Sequence, residues 1–568
     1  MAWTTILSSI GIGLLSGLAY LANTVYQHRS KINQLRKQGI PMPKEWSWLT
    51  GHLLVLQKYV DKIPPDANVN LAMADLCKEY ADTEVFLMDF WPVYPPLLMV
   101  YSPDTAVQIS TKYNLPKTSM HLKMMKPVAG GPNLISMSGK EWKVWRSLFN
   151  PGFSAGSMME NVPHIVDYVN VFCERLREKV EGKEMFCLDD LTTRLTMDII
   201  IKVTLDADLD YQRKENPLAT ALGYITRWHS FWDPRILMHP ARPFIQKYNS
   251  HVMNTYIRKE LDQRFTELRE EKMTTEKSTP TGRGKSVITL ALEAYIASNQ
   301  DRDISTMTKL DSHFAQYATY QIRLFLFAGN DTTSSSIVYT YHMLSKHPSA
   351  LATLRTEHDA IFGSNPSAAS ALLKQNPALL NQCPYTLAVI KETLRLFSPA
   401  ATMRSGQPGI VVTDQLNNSY PMDHVGATIV HQAVHLNPRI WPRATEFLPE
   451  RFLVSPDHPL YPNPAAYRPF EQGPRNCIGQ TLVYNEMRIV LVLTARLFDI
   501  RPVYDEFDAR NAAEESWVKR GLKSVGVLKE PLKTVNGERA YQTEKAGTHP
   551  ADGYPCRVEM ADWTGARA

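Results

Sequence analysis

The pattern of apolar and polar positions divides the chain into an apolar head and a long body in which helical spacing dominates. From Ile6 to Tyr26 most positions are apolar, and the first 28 residues carry no Asp, Glu, Lys or Arg. Such a run is long enough to cross a bilayer, which takes roughly 20 residues. The basic residues follow it: Arg29, Lys31, Arg36 and Lys37. A secretory leader has the opposite order, with a basic start and a short apolar core before a cleavage site. The pattern predicts a membrane anchor over residues 1–28, with a leader or a buried core helix as the competing readings. The positive-inside rule then places the body in the cytosol. A basic linker over 29–49 follows, in which Pro41, Pro43 and the stretch to Leu49 read as stiff chain.

In the body, apolar positions three and four apart predict helices over Val162–Val180, Leu188–Val203, Phe244–Lys272, Phe314–Lys346, Leu379–Leu396 and Gln480–Phe498. Short alternations predict small strands at Gly409–Thr413 and Ala427–His431. The polar stretch Glu270–Ser286, with Pro280, Gly282 and Gly284, reads as an exposed loop. No clean boundary interrupts residues 50–533, and the polar tail 534–568 is expected to be loosely ordered. The fold class is mainly α with small β-sheets.

A length of 568 residues permits several domains or one large core. The net charge of +5 leaves no strong footprint for nucleic acid. Six cysteines without a C-x-x-C pair are not a disulfide framework, and they suit a reducing compartment where a thiolate is free to bind metal. Gly284-Lys285-Ser286 resembles the end of a phosphate-binding loop, but that motif needs glycine where Thr279 stands. Two glycosylation acceptor patterns begin at Asn330 and Asn417, and neither is used on a cytosolic body.

The strongest chemical signal is Phe470-Glu471-Gln472-Gly473-Pro474-Arg475-Asn476-Cys477-Ile478-Gly479, just before a helical pattern. A helix N-terminus offers free N–H groups and positive potential, which favour a sulfur anion and lower a thiol's pKa. Gly473 and Gly479 allow close backbone approach, and Arg475 supplies a cation suited to a carboxylate. A second signal is Ala328-Gly329-Asn330-Asp331-Thr332-Thr333 inside a long helix. Small residues at 328 and 329 thin that helix where a ligand could sit. Thr332 can bond back to the carbonyl of Ala328, and Asp331 can take protons from water, so acid and alcohol would form a proton relay. Glu392 and Arg395, three apart, share a helix face and can pair.

With Phe470, Gly473, Arg475, Cys477 and Gly479 all in register, the chain resembles the cytochrome P-450 family over about residues 40–530. The resemblance implies the P-450 fold, a b-type haem ligated by Cys477, and activation of dioxygen. It implies that Asp331 and Thr332 are the acid–alcohol pair of the dioxygen-activating helix, with Ala328 and Gly329 beside the cofactor. It further implies that Glu392, Arg395 and Arg451 form a structural ion network. Trp142 and Arg146, matching W-x-x-x-R, would join Arg404 and Arg475 at the haem propionates. The implied partners are a reductase passing electrons from NADPH, an apolar small-molecule substrate and the endoplasmic reticulum membrane, with no nucleic acid. The implied reaction is monooxygenation, with a haem-thiolate isomerase or dehydratase and a non-catalytic haem sensor as alternatives. The tail motif from His549 to Cys556 resembles filamentous-fungal members, many of which tailor polyketides, terpenoids or alkaloids. Two regions are expected at the substrate entrance. One is Tyr113–Ser138, with Met120, Met124, Met125 and Met137; the other is Tyr224–Phe244, with Trp228, Phe231 and Trp232.

Overall fold

The computed structural model describes residues 2–230, 233–273, 285–298, 309–517, 523, 530–545 and 547–563. Most of the expected loop Glu270–Ser286 lies outside them, as do Phe231 and Trp232. The described strands are β1 (Val85–Met88), β2 (Leu97–Val100), β3 (Phe186–Cys187), β4 (Thr402–Arg404), β5 (Val411–Thr413), β6 (Ser419–Pro421), β7 (Gly426–Ile429), β8 (Phe498–Pro502) and β9 (Pro555–Met560). They form sheets ordered β1-β2-β7-β4, β3-β9-β8 and β5-β6. Helices make up most of the rest.

The expected helices form with small shifts: Val162–Gly182, Leu188–Leu205, Arg242–Met273 and Ser312–Lys346. Leu379–Leu396 is not one helix. It is a short 3-10 turn, Pro377–Gln382, followed by an α-helix, Pro384–Leu396. Pro384 explains the break, because proline has no N–H for an interior helix bond and suits a first turn. The helix after Cys477 stops at Thr494, and Phe498 opens β8.

The long helix Ser312–Lys346 starts at Asp311, whose carboxylate accepts the Phe314 N–H at 2.9 Å. It is buried on almost every side and packs most heavily on Leu188–Leu205. Two apolar cores result. One surrounds this helix and the other surrounds β1, β2 and β7. Phe470 and Ile478 pack on the first and Tyr467 on the second, so the cysteine loop lies where the cores meet.

The linker after the apolar head and the described part of the tail depart from expectation. The apolar head is one helix, Ala2–Lys37, with Ile12, Leu15 and Tyr20 exposed at 65, 69 and 75%. It runs straight through the first part of the expected linker, because neither Gly nor Pro occurs between Arg29 and Gly39. Arg29 is fully buried. It pairs with Asp89 and donates to the carbonyls of Trp48 (3.0 Å), Leu49 (3.1 Å) and Trp91 (2.8 Å). Trp46 also donates to Asp89, at 2.9 Å, so the Pro41–Leu49 segment is docked on the body. The tail is not loosely ordered. β9 is the middle strand of its sheet, and Tyr554 and Cys556 are fully buried. Gln542, Thr543, Thr548 and His549 face inward because they meet polar partners there, which a hydropathy pattern does not register.

Candidate functional site

The cysteine loop is built by backbone geometry. Gly473 has φ +79°, and a Cβ there would sit 2.6 Å from the Ser110 carbonyl oxygen, so glycine is required. The Cys477 N–H donates to the Phe470 carbonyl at 2.9 Å. The N–H groups of Gly479 and Gln480, at the start of Gln480–Thr494, point at the Cys477 sulfur. A Cβ on Gly479 would lie 4.0 Å from that sulfur. Cys477 is exposed although protein atoms crowd around it, so its sulfur keeps an open face. Burial raises the thiol's pKa, and the two N–H groups and Arg146 only partly oppose this. The expected lowering is thus a real contribution that burial outweighs. A stable thiolate here needs a cation on the open side of the sulfur, which is what a bound iron would be.

Beside the loop lies a group of positive side chains. Arg404, at the end of β4, is fully buried, and among the described residues none of its three guanidinium nitrogens has a partner. Arg475 donates to the Met137 carbonyl (2.7 Å) and Ser138 Oγ (3.3 Å), stacks 4.5 Å from the Trp142 ring centre, and keeps Nη1 unpartnered. Lys117 and His121 stand in the same group. Burial first, then Arg404 and Arg475, push Lys117 well below the usual lysine range. Burial first, then Lys117, Arg404 and Arg475, push His121 down to about 3. The nearby carboxylate Glu471 is already bound to Arg468 and to His431 Nε2. Buried Arg404 and half-buried Arg475, with open donors and no free carboxylate beside them, fit a ligand carrying two carboxylates.

Arg146 lies on the other side of the cysteine loop. Its Nη1 and Nη2 donate to the carbonyl (3.0 Å) and side-chain oxygen (3.2 Å) of Asn476, and Nε donates to Asn150 (2.8 Å). It braces the residue before Cys477. Trp142, buried on the same helix Gly139–Phe149, carries the Arg475 stack.

On the long helix, Thr332 Oγ1 donates to the Ala328 carbonyl at 2.8 Å, as expected. Gly329 does not thin the helix for a ligand: a Cβ there would lie 2.6 Å from Ile200 Cδ1, so its smallness admits the neighbouring helix. Asn330 is buried and accepts from Thr196 Oγ1 at 2.6 Å, which fits its not being a glycosylation site. The Asp331 carboxylate faces the tail, where His549 Nε2 lies 3.1 Å from Oδ1. Burial raises its pKa, with His549 pulling the other way.

The ion network forms as expected. Arg395 makes two bonds of 2.8 Å to the two oxygens of Glu392, Arg451 Nε makes one of 2.9 Å, and all three side chains are fully buried.

The cytochrome P450 family model matches residues 41–516. The chain belongs to the cytochrome P450 family. It is 38% identical over 549 residues to cytochrome P450 monooxygenase polC of Polytolypa hystricis (strain UAMH7299), covering 96% of this chain and 93% of that one. It is 29% identical to cytochrome P450 monooxygenase acrF of Aspergillus aculeatus, covering 88% and 98%. It is 25% identical to mouse cytochrome P450 3A16, covering 87% and 92%. This P450 is a monooxygenase of mainly helical fold, and its family implies a haem iron with a thiolate ligand. Cys477, Arg404, Arg475 and Lys117 present the donor set such a haem needs. The sequence reading gave no role to Lys117, His121 or His549. The first two sit in the methionine-rich stretch read as an entrance, and the third figures only as the start of the tail motif. In that stretch Met125 and Met137 are core residues, whereas Met120 and Met124 are half-buried.

Proposed function

We propose that this P450 inserts one oxygen atom into an apolar small molecule, a fungal secondary-metabolite intermediate of the polyketide, terpenoid or alkaloid classes. The balanced reaction is RH + O2 + NADPH + H+ giving ROH + H2O + NADP+, with electrons relayed by a partner reductase. Residues 1–28 hold it in the endoplasmic reticulum membrane with the body in the cytosol. The observation that carries the reading is the neighbouring pair Asp331 and Thr332 on the long helix. An isomerase, a dehydratase or a haem sensor has no need of such a pair.

Haem ligated by Cys477 supplies thiolate electron density that favours O–O cleavage. Arg404, Arg475 and Lys117 would hold its propionates, and Arg146 fixes the loop through Asn476. Thr332 spends its own proton on the Ala328 carbonyl, so its lone pairs accept from a water and orient it in the pocket. Asp331, one position earlier and about 100° round the helix, passes protons inward to that water.

The test is the ratio of product to NADPH used, with the substrate taken from extracts of a gene-deletion strain that accumulates a compound one oxygen atom lighter. Thr332→Ala should divert reducing power to hydrogen peroxide, and Asp331→Asn should slow turnover by about a hundredfold or more. Product formed without NADPH would show an isomerase. No NADPH oxidation at all would show a sensor. Cys477→Ser should abolish the thiolate-type spectrum of the reduced carbon monoxide complex.

A further inference from the structure

The tail meets the long helix with a histidine lodged between two carboxylates. His549 Nδ1 lies 2.6 Å from Asp189 Oδ1, and Nε2 lies 3.1 Å from Asp331 Oδ1. The side chains of His549, Asp189 and Asp331 are 7, 11 and 13% exposed. A ring with both nitrogens against carboxylates donates twice only as the cation, and a neutral ring would need one carboxyl protonated. Either way the trio shares one proton more than a neutral histidine beside two carboxylates.

The packing fixes this arrangement. Thr543 donates to the His549 carbonyl through both N–H (2.9 Å) and Oγ1 (2.7 Å). Ser335, one turn beyond Asp331, donates to the Gly547 carbonyl at 2.7 Å. Gly547 has φ +75°, and a Cβ there would fall 2.5 Å from Asp331 Oδ2, so only glycine lets the tail sit this close. Among the described residues Asp331 Oδ2 has no partner. Lys545 and Asp190 stand exposed at the outer edge.

The two carboxylates differ. Burial raises Asp189, but His549, Lys545 and Ser334 outweigh it and hold the carboxyl low. Asp331 ends raised, so it is the readier of the two to take a proton. Burial opposes charge on the ring, but Asp189 and Asp331 outweigh it and lift His549 to about 10.

We propose, on the relay reading above, that His549 is a positioning residue that docks Asp331 against the tail and supplies it with protons. The Nε2 proton moves to Asp331 Oδ1, leaving a neutral ring whose Nδ1–H stays with Asp189. Water at the Lys545–Asp190 edge returns a proton to Nε2. No electrons move, and the trio regains its charge each cycle.

The test uses full-length haem-loaded protein with reductase in phosphatidylcholine vesicles, NADPH and oxygen, and no substrate. Reducing power then leaves as peroxide (O2 + NADPH + H+ giving H2O2 + NADP+) or as water (O2 + 2 NADPH + 2 H+ giving 2 H2O + 2 NADP+). Water formation needs further protons, so peroxide per NADPH reports their supply. His549→Gln should raise that ratio about twofold or more, Asp331→Asn should do the same, and the double variant should add nothing. Deuterium exchange of the 326–336 amides, read by mass spectrometry, should rise in His549→Ala, which loses the docking. Faster exchange with an unchanged peroxide ratio in His549→Gln means a packing role only and overturns the proposal. So does a wild type that already yields one peroxide per NADPH. If Asp331→Asn is also silent, the relay reading itself fails. If His549→Gln takes up no haem, Asp189→Asn, which keeps the ring, replaces it: a raised ratio supports the proposal and a wild-type ratio overturns it.

Discussion

Two buried ionic groups lie within this P450, and they are opposites. In the Glu392–Arg395–Arg451 group each charge is answered. Both Glu392 oxygens meet guanidinium, and Oε1 also accepts the Leu448 N–H at 3.0 Å. The remaining Arg395 donors reach the carbonyls of His435, Ala444 and Glu446 at 2.7, 2.6 and 3.0 Å. In the Lys117–Arg404–Arg475 group positive charge is stacked on positive charge, and the Arg404 donors meet nothing among the described residues. Burial of charge is common to both, so burial does not tell scaffold from site. The balance of donors and acceptors does: a closed account holds the fold, and an open one marks where a ligand completes it.

Removing the acceptor from the closed group should have the largest effect. Glu392→Ala leaves two buried cations unanswered, which costs about 3–5 kcal/mol. Denaturant unfolding should show that loss, and little haem-loaded protein should be recovered. Unaltered stability would break the comparison. The open group should respond the other way round. Arg404→Met should weaken haem retention by about 10- to 100-fold, the equivalent of ~1.5–3 kcal/mol for a bond to a charged group. The haem-free form should unfold at no lower temperature than wild type, since a repelled cation has gone. Haem transfer to a scavenging globin and thermal unfolding of the haem-free protein measure the two halves.

The smallest effect is expected from a third, intermediate group, His549 between Asp189 and Asp331. Its neighbours also include Asp190 and Lys545. The His549 pKa is raised from 6.5 to about 10 on folding, so its stabilisation is complete below pH 6.5 and fades as pH climbs toward 10. The unfolding midpoint of wild type should fall over that window, and the midpoint of His549→Gln should fall less. Parallel curves would show that the ring carries no charge.

What the sequence made legible was chemistry confined to short stretches. The cysteine loop, the Thr332 bond to Ala328 and the Glu392–Arg395 pair each lie within ten residues, where spacing alone sets geometry. Arg451 joined them through its family motif. The roles of Lys117 and His549 were not legible because their partners lie hundreds of residues away, and a lone basic residue has no periodicity. Gly329 was located correctly but given the wrong neighbour, Ile200 being what it meets, and the bond from Arg146 to Asn476 lies beyond any local spacing. The tail misled for the same reason. Its polar composition predicts loose chain, whereas Gly547 and His549 are bonded to the long helix and to Leu188–Leu205.

That tail also sets an order of events during synthesis. β9 lies between β3 and β8, yet it is the last of the described strands to leave the ribosome. Until it emerges, β3 and β8 have unpaired edges, and Asp189 and Asp331 face each other without the imidazole between them. The nascent chain can therefore assemble its cysteine loop and its Glu392 network while this sheet is still open. Completion of the sheet waits for β9. Until then the imidazole that lies between Asp189 and Asp331 is missing, so the last-made strand also brings the residue that joins these two helices through their carboxylates.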